Sequence, residues 1–239
     1  MLKKLFCFLV VILGSALLPT ICFGESFTIE QVLSAPFPYS LTSASHAPRV
    51  AWVFDNKGER NIWIADAPDF VPRQVTHYKG DDGQAIASAR LTSDGKTIVY
   101  ARGSEINKEG TSANPASQTK MPRQQAWAVN VSGGEPRLLG EIGCNEEGCE
   151  DLQVSPDGKD VVWSAKKHLW MAPIDSKKKA EQLDELAGES DTPRRSPDGK
   201  RIAFRSNRKD HSLIAVLDPA TKKIIYLAPT TNRDAGPVW

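Results

Sequence analysis

The feature that most constrains this 239-residue chain is a turn that recurs. Thr92-Ser93-Asp94-Gly95-Lys96, Ser155-Pro156-Asp157-Gly158-Lys159 and Ser196-Pro197-Asp198-Gly199-Lys200 follow one pattern. Proline presets φ for a first corner, aspartate accepts a hydrogen bond from the backbone just downstream, and glycine supplies the positive φ that closes the turn. Asp-Gly between two β-type runs predicts a hairpin. The acidic ladder of a calcium loop is missing, so these aspartates read as structural. Each turn leads at once into a short β-type run: Thr97-Ile98-Val99-Tyr100, Asp160-Val161-Val162-Trp163 and Arg201-Ile202-Ala203-Phe204. Arg49-Val50-Ala51-Trp52 fits the same frame without its turn.

An aromatic therefore holds one fixed place as Trp52, Tyr100, Trp163 and Phe204. Aromatics in register could form a binding stripe; in stacked blades they more commonly fill the space between neighbours, and that packing role is expected here. A further strand follows in each unit: Asn61-Ile62-Trp63, Gln125-Ala126-Trp127, His168-Leu169-Trp170 and Ser212-Leu213-Ile214, with Ile214 standing in the tryptophan place. Val75, Leu139, Leu183 and Leu227 then close the units in register. Positions 139, 183 and 227 are 44 residues apart in succession. A period near 40–45 residues with four short strands per unit is the propeller pattern. The expectation is an all-β chain: a partial β-propeller of about four four-stranded blades plus the start of a fifth, spanning 47–239 after a lead-in segment, 25–46.

Two irregularities stand out against that period. Val75 and Leu139 are 64 residues apart. The excess falls in a polar insertion, 103–124, including Glu105-Ile106-Asn107-Lys108-Glu109-Gly110. Its composition predicts an exposed loop, either a solvated insertion or a contact surface for substrate or another domain. At the other end, Trp239 falls in register with Leu91, Val154 and Arg195, three places before a turn aspartate. The next such aspartate is expected at about position 242, so the chain reads as stopping in mid-repeat.

The first 24 residues have a different character. Lys3 and Lys4 precede an apolar run from Leu5 to Leu18, and small residues follow near Gly24. That is the layout of a secretory signal peptide, 1–24. The run of about 14 residues is short of the roughly 20 that cross a bilayer. An uncleaved anchor, or a lipoprotein acylated at Cys22, are the alternatives. Export to the periplasm or the extracellular space is expected, with no membrane attachment once the leader is removed. The formal net charge is +1, falling to −1 without Lys3 and Lys4, so no nucleic-acid footprint is present. Beyond the leader the cysteines are Cys144 and Cys149, in Gly-Cys-Asn-Glu-Glu-Gly-Cys. An oxidising compartment would permit a disulfide across this tight loop; two free thiols are the alternative.

No reaction chemistry is legible. The G-x-S-x-G elbow of serine hydrolases does not occur. His46, His77, His168 and His211 are scattered, with no i, i+4 pair of the metalloprotease kind. There is no Gly-rich phosphate loop. No catalytic, cofactor or metal residue is assigned, and no cofactor is expected.

Two segments carry a family resemblance. Phe27-Thr28-Ile29-Glu30-Gln31-Val32-Leu33-Ser34-Ala35-Pro36-Phe37-Pro38, and Arg49-Val50-Ala51-Trp52-Val53 followed by Arg60-Asn61-Ile62-Trp63, resemble the opening of exported serine peptidases of the prolyl-oligopeptidase family, dipeptidyl peptidases included. The S-P-D-G-K repeats resemble both that family's propeller and the propeller of the periplasmic protein TolB. The peptidase resemblance implies an N-terminal propeller that gates an α/β-hydrolase domain bearing a Ser-Asp-His triad, with short peptides as substrates of the whole enzyme. That hydrolase domain has no counterpart in these 239 residues, so no family catalytic residue maps onto this sequence. The TolB resemblance implies a stand-alone propeller that binds protein partners in the cell envelope. A decayed peptidase gene is a third reading.

Overall fold

The computed structural model of the chain describes residues 27–103, 112, 114, 117–145, 148–149 and 152–239. The signal peptide read at 1–24 lies outside the described residues, as do 104–111, 113 and 115–116 of the insertion. The chain divides into Met1–Leu33 and Ser34–Trp239. In the first unit a single short helix, α1 (Ile29–Leu33), is described. Thr28 Oγ1 accepts from the Gln31 amide at 3.1 Å and the Gln31 side chain accepts from the Thr28 amide at 2.8 Å, a reciprocal cap of the helix start.

The second unit is built from four four-stranded antiparallel sheets, each in simple sequence order. Blade 1 is β1 (Phe37–Ser43), β2 (Arg49–Asn56), β3 (Glu59–Asp66) and β4 (Arg73–Gln74). Blade 2 is β5 (Ile86–Leu91), β6 (Thr97–Arg102), β7 (Gln125–Asn130) and β8 (Arg137–Glu141). A two-stranded ribbon, β9 (Cys144–Asn145) and β10 (Gly148–Cys149), follows. Blade 3 is β11 (Gln153–Val154), β12 (Asp160–Ala165), β13 (His168–Pro173) and β14 (Glu181–Gln182). Blade 4 is β15 (Glu189–Arg195), β16 (Ile202–Asn207), β17 (Ser212–Asp218) and β18 (Lys223–Leu227). The expected repeat of four-stranded blades is present, and part of the lead-in segment, β1, pairs with β2 as a blade strand.

The core lies between blades rather than within them. Tyr100 of blade 2 packs among Ala51, Val53, Ile62, Ile64 and Val75 of blade 1. Trp163 of blade 3 packs among Val99, Ala101, Ala126, Ala128 and Leu139 of blade 2. Phe204 of blade 4 packs with Val162, Leu169 and Leu183 of blade 3. All three aromatics are completely buried. Each junction holds one fully buried aromatic, carried by the later blade and received by the aliphatic face of the earlier one. Burial of that apolar area holds neighbours together.

One expected position is displaced. Trp52, Tyr100 and Trp163 stand directly across from Trp63, Trp127 and Trp170. Phe204 stands across from Ala215, not Ile214. Direct cross-strand partners share a face, so the fourth tryptophan place belongs to Ala215 and Ile214 lies on the opposite face. Sliding a β-run by one residue exchanges its faces. Residues 230–239 form no regular strand, but the Asp234 amide donates to the Ser212 carbonyl at 3.1 Å, as the Ser190 amide of β15 donates to the Lys167 carbonyl at 2.8 Å. This tail follows the path that begins a further blade.

Candidate interaction surfaces

The recurrent turns form one rim of the molecule. In each, the glycine amide closes onto the residue three back at 2.8 Å: Gly95 onto Thr92, Gly158 onto Ser155, Gly199 onto Ser196. The glycines have φ of +68°, +71° and +73°, which a side chain would resist. Each aspartate accepts from the lysine amide two residues on and from the hydroxyl two residues back; the hydroxyl bonds are 2.7, 2.7 and 2.6 Å for Asp94, Asp157 and Asp198. These bonds hold all three carboxyls below the usual range, through the Lys96 amide first at Asp94 and the serine hydroxyl first at Asp157 and Asp198. Successive turns touch: the Ser93 hydroxyl donates to the Pro156 carbonyl at 2.8 Å. Their saturated bonding makes them architectural.

One cluster has the composition of a hydrolase triad and not its geometry. His168 Nδ1 lies 3.1 Å from Asp184 Oδ1, and the Ser190 hydroxyl donates to the same oxygen at 3.0 Å. The Leu169 amide donates to Asp184 Oδ2 at 2.8 Å. A nucleophilic serine must give its proton to histidine; here the carboxylate stands between the two. Because Ser190 opens blade 4 while His168 and Asp184 belong to blade 3, the cluster clasps two blades together. Blade 1 has a related clasp, in which the Ile62 amide donates to Thr76 Oγ1 at 2.8 Å and that hydroxyl donates to Asn61 at 3.0 Å. His211, by contrast, sits on the surface, 2.7 Å from Asp210. Among the described residues no group of three His, Cys, Asp or Glu is placed to hold a metal ion.

A cleft of about 1030 Å³ opens between blades 2 and 3. Trp127 and Trp170 line it half-buried, with the edge of Trp163 behind them. The Trp163 and Trp170 indoles donate to the Glu141 and Ala165 carbonyls at 2.7 and 2.9 Å, which fixes both rings. Gly140 makes room for this arrangement, because a Cβ there would stand 2.9 Å from Trp163 Cζ2. The lip is basic, with Lys177, Lys178 and Lys179 exposed. Lys166 reaches Glu141 at 2.7 Å and, with Arg123 paired to the same carboxylate, holds it below its ordinary range. Arg123 belongs to the segment that closes the insertion, so the insertion's end is tied to the cleft wall through Glu141. Neither the cleft nor Gly140 was legible beforehand: the signal is the absence of a side chain, which only the pairing makes visible.

Two blade faces are partly open among the described residues. On blade 1, Trp52 occupies the place of the buried Tyr100, Trp163 and Phe204, yet it is partly exposed. It meets Phe54 edge-on at 5.6 Å, and Phe54 meets Trp63 at the same distance. On blade 4, Leu227 is 49% exposed, whereas its counterparts Val75, Leu139 and Leu183 are no more than 5% exposed. Ile225 is 53% exposed, and Ile214 and Val216 share the face through direct pairing with Leu227 and Ile225.

The sequence reading also missed a recurring bulge. β1, β5 and β15 each slip register in the same place, with Ser40, Ser88 and Thr192 at φ of +54°, +49° and +47°. Such bulges bend a strand and re-aim its side chains. In the ribbon after blade 2, Cys144 pairs directly with Cys149. Opposed Cα atoms in antiparallel ladders lie about 4.5–5.5 Å apart and disulfides span about 4.4–6.8 Å, so the backbone is compatible with a bridge.

No protein-family model and no curated protein matches the chain. Solved structures do. TolB from Acinetobacter baumannii aligns with a TM-score of 0.51 at 16% identity, covering 82% of this chain and 44% of that one. A prolyl endopeptidase, from work on inter-domain dynamics in catalysis and specificity, aligns at 0.57 and 11% identity, covering 81% and 29%. The acylaminoacyl peptidase of Pyrococcus horikoshii aligns at 0.50 and 13% identity, covering 79% and 32%. The fold is that of a β-propeller. The chain spans well under two thirds of the length of each of these three structures.

Proposed function

We propose that this chain is the N-terminal propeller portion of an exported serine peptidase of the prolyl-oligopeptidase family, gating substrates for an α/β-hydrolase domain that these 239 residues do not include. The observation that carries the reading is the likeness to a prolyl endopeptidase, which takes in 81% of this chain and 29% of that one. The opening Phe27–Pro38 segment supports it, and the leader supports export. Among the described residues no helix is long and apolar enough to cross a membrane. Substrates of the whole enzyme would be short peptides, admitted or refused by size at the propeller. The test uses the native source: an antibody against residues 47–239 and a fluorophosphonate probe for active serine hydrolases. A band much heavier than 26.2 kDa that binds both is expected. A band at or below that mass with no probe label overturns the proposal.

A second reading is a stand-alone TolB-like propeller that binds protein partners in the envelope. It is favoured by the TolB likeness, which takes in a larger share of the partner structure, 44%. Recovery of a stable partner from an envelope extract, without a hydrolase, would select it. Export also bears on the ribbon. Cys144 and Cys149 are proposed to be joined, their two protons and two electrons passing to the disulfide-exchange oxidants of that compartment. Alkylation of the denatured chain should find neither thiol free; two alkylated thiols would refute the bridge.

A further inference from the structure

We propose that the cleft between blades 2 and 3 is a docking site for an acidic peptide segment of a partner protein. An aromatic side chain of that segment lies against Trp127 and Trp170, and its carboxylates meet Lys177, Lys178 and Lys179. The proposal does not rest on the peptidase reading. Nor does the cleft depend on where the chain ends, because blade 1 packs on blade 2 and blade 4 packs on blade 3. The cleft lies at the edge of both blades. It is walled by β8, an edge strand of blade 2, and by residues 177–180, which lead into β14, an edge strand of blade 3.

The rings are held ready for a flat apolar group. The Trp163 and Trp170 indoles are bonded to the Glu141 and Ala165 carbonyls, while Trp127 and Trp170 keep part of their surface open to the cleft. A ring placed there gains by burial and by ring–ring contact. The charge around the rings is of one sign. Arg137, Lys166 and the three lysines of the lip face a single carboxylate, Glu141, which Lys166 and Arg123 already pair. Among the described residues no carboxylate is paired with Lys177, Lys178 or Lys179. Burial disfavours the charge on Arg137, which Asp175 offsets, so a further carboxylate beside it is favoured. The lining holds no Ser, Thr, Asn or Gln side chain, so a polyhydroxylated ligand finds no neutral side-chain partner. Three consecutive residues reach at most about 10 Å when extended. Carboxylates spaced along a peptide match that span, and a single-ring acid does not.

The test titrates the synthetic peptide Glu-Asp-Phe-Glu-Asp into the whole chain by calorimetry. One site per chain is expected, with an affinity that weakens as salt is raised. Replacing the phenylalanine of the peptide by alanine, or its acids by their amides, should each weaken binding by about tenfold. Lys177→Glu, Lys178→Glu and Lys179→Glu together should weaken it at least as much. Those side chains are exposed, so circular dichroism and the urea midpoint of that variant should match the wild type. Trp127→Ala should also weaken binding by about tenfold, and the lysine variant carries the test if Trp127→Ala does not fold. No binding of the peptide overturns the proposal. Binding that the lysine reversal leaves intact, or that the alanine peptide matches, overturns it equally. Phenylacetate binding as tightly as the peptide would overturn the choice of a polypeptide as the occupant.

Discussion

Blades 1 and 3 close their outer edge differently from blades 2 and 4. In blades 1 and 3 the last strand is only two residues long, Arg73–Gln74 or Glu181–Gln182. A polar side chain then takes over from the ladder: Thr76 accepts from the Ile62 amide, and Asp184 accepts from the Leu169 amide. A glutamine locks each corner, Gln74 onto the Thr76 carbonyl and Gln182 onto the Asp184 carbonyl, at 2.7 and 2.6 Å. In blades 2 and 4 the last strand runs five residues, and Gly140 or Ala228 stands where the polar residue would be. There the backbone completes the pairing and no side chain is required. A buried amide must find a partner, and this repeat satisfies the same amide in two ways. The second way frees space, and in blade 2 that space becomes the tryptophan cleft.

The largest expected effect comes from removing the stronger clasp. Asp184→Ala leaves the Leu169 amide and the Ser190 hydroxyl without their acceptor in the blade 3–4 junction. Loss of about 3 kcal/mol is expected in urea unfolding, the scale of several hydrogen bonds to a buried charge. A loss below the noise of the fit would mean that the cluster does not clasp. Filling the open version is next. Gly140→Ala puts a methyl group 2.9 Å from the Trp163 ring. A cost of about 1–3 kcal/mol is expected from overpacking, with a shift in tryptophan emission. Unchanged emission and stability would show that the ring is not held where the cleft requires it.

The weaker clasp should yield less. Thr76→Val keeps the shape and removes the acceptor for the Ile62 amide. About 1–2 kcal/mol is expected, less than for Asp184→Ala. Equal losses would erase the distinction between a neutral and a charged clasp.

The smallest effect is the acid response of the turns, which both kinds of blade share. Asp94, Asp157 and Asp198 have carboxyls held below the usual value. A depressed native value means that the stabilisation is present above the unfolded value, about 3.9, and is lost as pH falls through the native one. Asp157→Asn should flatten the decline in stability below pH 5 slightly and leave neutral stability little changed, since these groups are half exposed. A steeper decline would reverse the assigned sign.

The turns and the junction aromatics were legible because their chemistry is local: Asp-Gly closes a hairpin wherever it occurs, and an aromatic repeated at one offset marks a repeated environment. The register of β17 was not. Ser212-Leu213-Ile214-Ala215-Val216 carries no tryptophan, and its apolar residues fit either face, so only pairing with Phe204 chooses Ala215. The clasps were hidden for a different reason. Gln74-Val75-Thr76 and Gln182-Leu183-Asp184 look alike once aligned, but nothing in them says that the ladder has stopped one residue earlier. Gly140 and the two partly open faces are defined by what is not packed there, which a sequence does not state.

Hydrogen exchange at two equivalent amides tests the central distinction most directly. The Leu169 amide is held by the Asp184 side chain, and Ala126 stands at the same place in blade 2 with Gly140 opposite it in the ladder. Both amides should be protected in the wild-type chain. Asp184→Ala, which removes the acceptor, should speed exchange at Leu169 by about tenfold for each 1.4 kcal/mol lost and leave Ala126 less affected. Equal acceleration at both amides, or none at Leu169, would contradict the account.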